Sequence, residues 1–315
     1  MTSLPQHPSE GSERERPSLV VARAARALAA AGVEAARAEA EQLAAYVLDV
    51  PRGRLALADG FTPAQRDRLD TLVDRRRARE PLQHLTGVAG FRHLELAVGP
   101  GVFVPRPETE LLAGWGIEQA GRSAAPLVVD LCSGSGAIAL AVAQELPSAR
   151  VVAVERSPAA LDWLRRNAAE RAAAGDRPIE VVAADVTDPA LLADLVGRVD
   201  VLLCNPPYVP RSVVVPPEVA GHDPDEAVFG GADGLDVIRP VVVRAAALLR
   251  PGGVLGVEHD DTHATAVPAL LAADGRYERV EEHRDLVGRP RFATASRRAD
   301  GQHAGVAPAW QTGSS

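Results

Sequence analysis

The stretch Leu127-Val128-Val129-Asp130-Leu131-Cys132-Ser133-Gly134-Ser135-Gly136 decides how this chain folds. The first five residues of this stretch, four of them apolar, read as a buried strand. It passes directly into two glycines that permit a tight turn and a close approach of backbone to ligand. Residues 137–146 then read as a helix. A strand, a glycine turn and a helix in this order form the first unit of an α/β sheet that binds its ligand beyond the strand ends.

Working outward, the rhythm repeats. Residues 151–155, 179–183, 199–204 and 254–258 read as strands, with helices at about 158–174, 189–196, 236–249 and 262–273. Residues 279–284 and 290–296 supply two more strands as an edge hairpin. The expected fold is α/β: a doubly wound, mostly parallel seven-stranded sheet. Upstream, Val20, Val21, Ala24, Leu28 and Ala31 share a helical face that stops at Gly32. A second helix is expected over 34–48. A third covers 62–79, opened by Thr62 as cap and Pro63 at the first helical position. These helices form a small N-terminal domain over residues 18–82. Residues 83–104 alternate in polarity and read as a β-hairpin linker, and 105–298 form the main domain. Residues 1–17 and 299–315 are expected to be disordered.

The 315 residues carry a net charge of −8, and the first hundred are near balance, so the acidity belongs to the main domain. An acidic catalytic part argues against duplex DNA, whose affinity rests on basic surface. Aromatic content of 3% leaves little for base-stacking platforms. Two cysteines, Cys132 and Cys204, make neither a disulfide framework nor a zinc site, and the scattered histidines lack ligand spacing, so no metal is expected. No secretory leader or spanning segment is legible, which points to the cytoplasm and to no membrane partner. The arginine run over 75–79 suits a helix C-terminus; the alternative is a contact for an acidic partner.

The chemistry gathers at the strand ends. Gly134-Ser135-Gly136-Ala137-Ile138-Ala139, with Glu155 about twenty residues on, also fits a dinucleotide fingerprint. In both readings Glu155 accepts the two ribose hydroxyls. Asp130 favours a ligand with an ammonium, such as the methionine moiety of S-adenosylmethionine, over a pyrophosphate. Asp185 is placed to accept from an adenine amino group, or else to cap the next helix, and Val186 to pack on the ring. After the fourth strand comes Asn205-Pro206-Pro207-Tyr208. Its prolines remove two donors and stiffen the exit. An Asn amide oxygen and a proline-locked carbonyl are two acceptors, suited to a planar –NH2 group, with Tyr208 against its flat face. A dinucleotide reading leaves this tetrapeptide without a purpose.

Together these motifs resemble a class I, Rossmann-like S-adenosylmethionine-dependent methyltransferase, and more narrowly the release factor glutamine methyltransferases. The resemblance is carried by Phe103-Val104-Pro105-Arg106-Pro107-Glu108-Thr109-Glu110, by residues 130–136 and 205–208, and by Gly230-Gly231-Ala232-Asp233-Gly234-Leu235. Residues 251–253 and 285–289 agree. The resemblance implies methyl transfer to the amide nitrogen of the glutamine in the G-G-Q motif of class I peptide-chain release factors. It implies cofactor binding by Cys132, Ser133, Gly134, Ser135, Gly136, Glu155, Val186 and Asn205. Asn205, Pro206, Pro207 and Tyr208 would hold the substrate glutamine, and the N-terminal helices would recognise the release factor. Cys132 departs from the family loop, which usually has glycine there. Ribosomal protein glutamine methylation and N6-adenine or guanine-N2 methylation of nucleic acid are the alternatives.

Overall fold

The computed structural model describes residues 14–299, so the expected tail from 300 onward and the leader up to 13 lie outside the described residues. Residues 14–17 depart from the expected disorder. Glu15 exchanges two backbone hydrogen bonds with Phe61 (3.0 and 2.8 Å), and Pro17 already opens a helix.

The chain forms two compact units that meet in sequence at Gly87 and Val88. The first holds α1 (Pro17–Ala30), α2 (Ala36–Leu48), α3 (Pro63–Arg77) and α4 (Leu82–Thr86). Val20, Val21, Ala24 and Leu28 of α1 pack on Leu43 and Val47 of α2 and Leu69 and Val73 of α3. Thr62 and Gln65 cap α3 reciprocally, which stabilises such a helix by roughly 1 kcal/mol. The arginine run is used internally. Arg75 pairs with Glu80, Arg77 with Asp74, and the nearly buried Arg76 with Glu39 at 2.5 Å. Arg79 caps the carbonyls of Ala31 and Gly32.

The second unit begins with the hairpin β1 (Val88–Phe91) and β2 (Leu94–Ala97). It was expected as a linker, but Phe91, Leu94 and Leu96 are buried in this unit's own core, so the hairpin is part of the domain. There follow α5 (Thr109–Ala120), β3 (Leu127–Leu131), α6 (Ala137–Glu145), β4 (Arg150–Glu155), α7 (Pro158–Ala173), β5 (Glu180–Ala183) and β6 (Val199–Cys204). The chain continues through α8 (Pro217–Ala220), α9 (Asp225–Val228), α10 (Ile238–Leu248), β7 (Leu249–Glu258), α11 (Ala266–Asp274), β8 (Tyr277–Arg284) and β9 (Pro290–Arg297). The expected helix over 189–196 is instead a turn with a short 3-10 segment. Only seven residues separate Pro189 from Gly197, and Leu192 adopts a left-handed conformation there.

Seven strands pair in the order β5-β4-β3-β6-β7-β9-β8; β9 runs antiparallel to both its neighbours. One face, with Val129, Leu131 and Leu202, packs on α10 and α11; the other, with Val128 and Val201, packs on α5, α6 and α7. The order reverses between β3 and β6, and beyond the carboxyl ends of these two strands a doubly wound sheet opens its ligand crevice. No helix among the described residues is long and apolar enough to cross a membrane.

Candidate active site

A cavity of about 380 Å³ lies at that switch point. Its walls include Cys132, Ser133, Gly134 and Ser135 after β3, Glu155 at the end of β4, Asp185 and Val186 after β5, and Asn205 to Tyr208 after β6. The sequence-expected residues are therefore brought together, with two exceptions.

Asp130 does not line the cavity. Strand alternation turns it to the face of Val128, under α6, where it is completely buried and its Oδ2 accepts from the Ala139 amide (3.2 Å). Burial pushes its carboxyl up to about 7, so it is a poor direct partner for an ammonium. Its Oδ1 has no well-formed partner among the described residues; the nearby Ser133 hydroxyl donates to the Asp130 backbone carbonyl (2.9 Å). Gly136 is also absent from the wall: a Cβ there would come within 2.5 Å of Leu164 Cδ1, so this glycine serves helix packing. Gly134 is the opposite case. A Cβ on it would enter open space at the crevice, the cradle that a ligand needs.

Glu155 holds the loop. Its Oε2 accepts from the Gly134 amide and its Oε1 from the amides of Arg156 and Ser157, each at 2.8 Å. Oε2 keeps a lone pair for a ligand hydroxyl. Asp185 uses Oδ1 for the Thr187 amide and hydroxyl, and Oδ2 for Arg156 (3.1 Å). Its carboxyl lies below the usual range: these hydrogen bonds outweigh the burial that would raise it. Capping its own turn is thus its structural task, and only Oδ2 has capacity left for an adenine amino group. Val186 is buried against the cavity. Cys132 sits at φ +59°, a left-handed conformation that costs a non-glycine residue roughly 1–2 kcal/mol.

Across the crevice, Asn205 Nδ2 donates to Thr109 Oγ1 (3.1 Å), which leaves Oδ1 without a donor among the described residues. The Tyr208 hydroxyl donates to Glu258 Oε1 (3.0 Å). Behind this segment, Gly230 and Gly234 pack where any Cβ would collide with the carbonyls of Pro207 and Tyr208. The glycine-rich motif thus buttresses the tetrapeptide. Phe103, Pro105, Arg106, Glu108 and Thr109 form a further wall. Arg106 pairs with the buried Asp223 (2.7 Å) and lies over the Phe103 ring.

Sequence reasoning missed Thr109 and Arg106, which line the cavity, and Glu258 and Asp223, which bond to lining residues from behind. Thr109 and Arg106 lay inside the Phe103–Glu110 motif, and Glu258 ends the strand beside the one that Asn205 follows. Asp223 carried no local signal.

The wall fits S-adenosylmethionine, with a glycine cradle, a carboxylate with a free lone pair and a buried valine for the ring. A family model for the PrmC N-terminal domain matches residues 20–87, and one for the methyltransferase small domain matches 115–217. A release factor glutamine methyltransferase of Mycolicibacterium smegmatis is 52% identical over 271 residues, covering 86% of this chain and 94% of that protein. One from Streptomyces coelicolor is 50% identical over 280 residues, covering 87% and 96%. The crystal structure of a release factor-specific protein-(glutamine-N5) methyltransferase from Alicyclobacillus acidocaldarius is 26% identical with a TM-score of 0.38, covering 64% of this chain and 99% of that one. The chain has the fold of a class I methyltransferase and is an enzyme that takes its methyl group from S-adenosylmethionine. It belongs to the release factor glutamine methyltransferase family.

Proposed function

We propose that this enzyme methylates the side-chain amide nitrogen (N5) of the glutamine in the G-G-Q motif of class I peptide-chain release factors, in the cytoplasm. The observation that carries the reading is Asn205 on the cavity wall with its amide nitrogen tied back to Thr109, which leaves Oδ1 as an acceptor beside Pro206.

An amide nitrogen is a weak nucleophile because its lone pair is delocalised into the carbonyl. Asn205 Oδ1 and the Pro206 carbonyl accept its two N–H groups, orient the nitrogen and increase its electron density as it pyramidalises. The Tyr208 ring covers the flat face of the amide. When bound, S-adenosylmethionine supplies a sulfonium methyl and leaves as a neutral thioether. Asn205 and Pro206 would hold the amide nitrogen toward that methyl, the electron pair of the S–C bond would stay with sulfur, and the surplus amide proton would pass to water. Catalysis is positioning and acceptor electrostatics, with no general base of tuned pKa required. Cys132 to Ser135, Glu155 and Val186 hold the cofactor in this reading. A neutral glutamine offers no ion-pair handle, so the helical domain over residues 18–82 supplies recognition of the release factor.

The test is incubation with labelled S-adenosylmethionine and, separately, release factor, ribosomal protein and DNA. Label is expected on the release factor and absent when its G-G-Q glutamine is replaced. Asn205→Ala should lower turnover by on the order of 10²-fold or more, the scale of a lost transition-state hydrogen bond. Label on ribosomal protein or on nucleobases instead would overturn the reading.

A further inference from the structure

Asn205 can face the crevice in two ways, and only one presents an acceptor. Rotating its amide by half a turn would offer Nδ2, a donor, to a substrate –NH2 that itself can only donate. Something must fix the direction, and the groups that do so lie one layer deeper.

Thr109 is the first residue of α5 and is buried; its hydroxyl accepts from Asn205 Nδ2 at 3.1 Å. A hydroxyl has one proton. If that proton is directed elsewhere, the oxygen can only accept, and Asn205 must turn Nδ2 toward it. Glu258 provides the destination. It follows Val257, which pairs with Cys204 across β6 and β7, so it stands beside Asn205 at the strand ends. Its side chain is fully buried, Oε1 is taken by the Tyr208 hydroxyl, and Oε2 has no well-formed partner among the described residues. The Thr109 hydroxyl faces this carboxylate and favours its charged form. A buried carboxylate oxygen without a donor and a hydroxyl proton without an acceptor, side by side, satisfy each other.

We infer that Thr109, its proton directed to Glu258, is a positioning residue that holds Asn205 with Oδ1 toward the substrate amide. This rests on the function proposed above. It also gives Glu258 a task that no part of the methyl transfer otherwise uses.

The direction depends on the charge of Glu258. Once protonated, the Glu258 carboxyl can donate to Thr109, whose own proton is then free for Asn205 Oδ1, and the acceptor is lost to the substrate. The groups facing Glu258 are Tyr208 from the crevice, Arg291 on β9, which favours the charge, and Glu108 just before α5, which opposes it. Burial, the largest influence, pushes the carboxyl up to about 7. Turnover should therefore fall as the pH drops through that range.

The experiment uses the full chain with release factor as substrate. Thr109→Val, an isostere without the hydroxyl, should lower kcat about tenfold or more, the effect of roughly one lost hydrogen bond. The KM for release factor and the S-adenosylmethionine affinity by calorimetry should stay within about twofold, because the helical domain and the glycine loop supply most of the binding and this hydrogen bond mainly orients the amide. Thr109→Ser should return most of the loss, and Thr109→Val added to Asn205→Ala should change nothing further. An unaltered kcat in Thr109→Val, a serine variant as poor as the valine one, or additive losses would each overturn the inference. If Asn205→Ala keeps full kcat, the acceptor reading itself fails; a loss there without one in Thr109→Val sinks only the inference. A separate readout does not depend on the Thr109 variants folding. The kcat of the unaltered enzyme should decline below about pH 7, and Glu258→Gln should lack that decline. The same acid limb in both would remove Glu258 from the account.

Discussion

Leu131 of β3 and Cys204 of β6 stand directly opposite each other in the parallel ladder. Each is the last residue of its strand, so the glycine loop and Asn205 leave the sheet side by side. The two halves of the reaction are thereby anchored to one rigid pair of strands. Methyl donor and amide can meet without any loop having to carry one to the other. The same relationship brings Cys132 and Cys204 together, which matters below.

The two loop glycines should separate stability from binding. Gly136 has φ +89° and its missing Cβ would overlap Leu164 and Leu140. Gly136→Ala should cost about 2–4 kcal/mol, combining left-handed strain and overpacking. Gly134, at φ +56°, faces open space, so Gly134→Ala should cost about 1 kcal/mol of stability. Its methyl group enters the cofactor cradle and should weaken S-adenosylmethionine binding about tenfold, roughly 1.4 kcal/mol. Urea midpoints and calorimetric affinities measure the two effects. Equal affinity losses in both variants would show that the cradle is not at Gly134.

Cysteine reactivity should be unequal. Cys132 is half-buried and lines the crevice, whereas Cys204 is fully buried and its thiol is pushed up by burial first and then by the neighbouring Cys132. Iodoacetamide should label Cys132 alone in the folded enzyme, with S-adenosylmethionine slowing the reaction. Peptide mapping by mass spectrometry reads both outcomes. Labelling of Cys132 at the same rate with and without cofactor would separate that thiol from the binding site. Cys132→Gly should keep stability within about 1 kcal/mol, since relief of the left-handed strain offsets the added freedom of the unfolded chain.

Much of this was legible in the sequence. The glycine loop, Glu155 and the proline pair announce themselves because backbone chemistry constrains them locally. The parallel strands show as unbroken apolar runs. What was not legible depends on contacts distant in sequence. Asp130 stands one residue before the end of its strand, where a ligand-binding acid could sit, but it turns to the face that α6 covers. Thr109 and Glu258 are 149 positions apart and meet only because β6 and β7 are neighbours at the end where α5 begins. The helix expected at 189–196 failed because apolar spacing alone does not show that a short, proline-led segment closes as turns.

Arg106 and Asp223 should behave asymmetrically. The Asp223 side chain is entirely buried, and burial raises its carboxyl above the usual range although Arg106 and the Val104 amide pull it down. Arg106→Ala leaves a buried charge alone and should destabilise by about 3 kcal/mol or more; Asp223→Asn removes the charge while leaving an acceptor and should cost less. Thermal or urea unfolding of the two variants gives the ranking. A milder effect from Arg106→Ala than from Asp223→Asn would mean that the pair is not what secures this wall.

Asp130 makes stability fall as pH rises. Its folded carboxyl titrates near 7, against an ordinary value of 3.8, because burial penalises the charge. Between about pH 4 and 7 the folded protein therefore keeps a proton that the unfolded chain has released. Stability from this group is fully present below the unfolded value and is lost as pH climbs through the folded one. Glu258 acts in the same direction, whereas His283, which burial holds below its usual value, acts in the opposite one, so the Asp130 share is read against a variant that cannot ionise there. Asp130→Asn retains an oxygen for the Ala139 amide but cannot ionise. Measured without cofactor, the stability of Asp130→Asn relative to the unaltered protein should rise with pH by at most about 1.4 kcal/mol per unit, flattening above 7. A difference that stays constant from pH 5 to 8 would mean that Asp130 is ionised in the folded state throughout. In that event its orphaned Oδ1 would have to be held by a cation or water that offsets its burial.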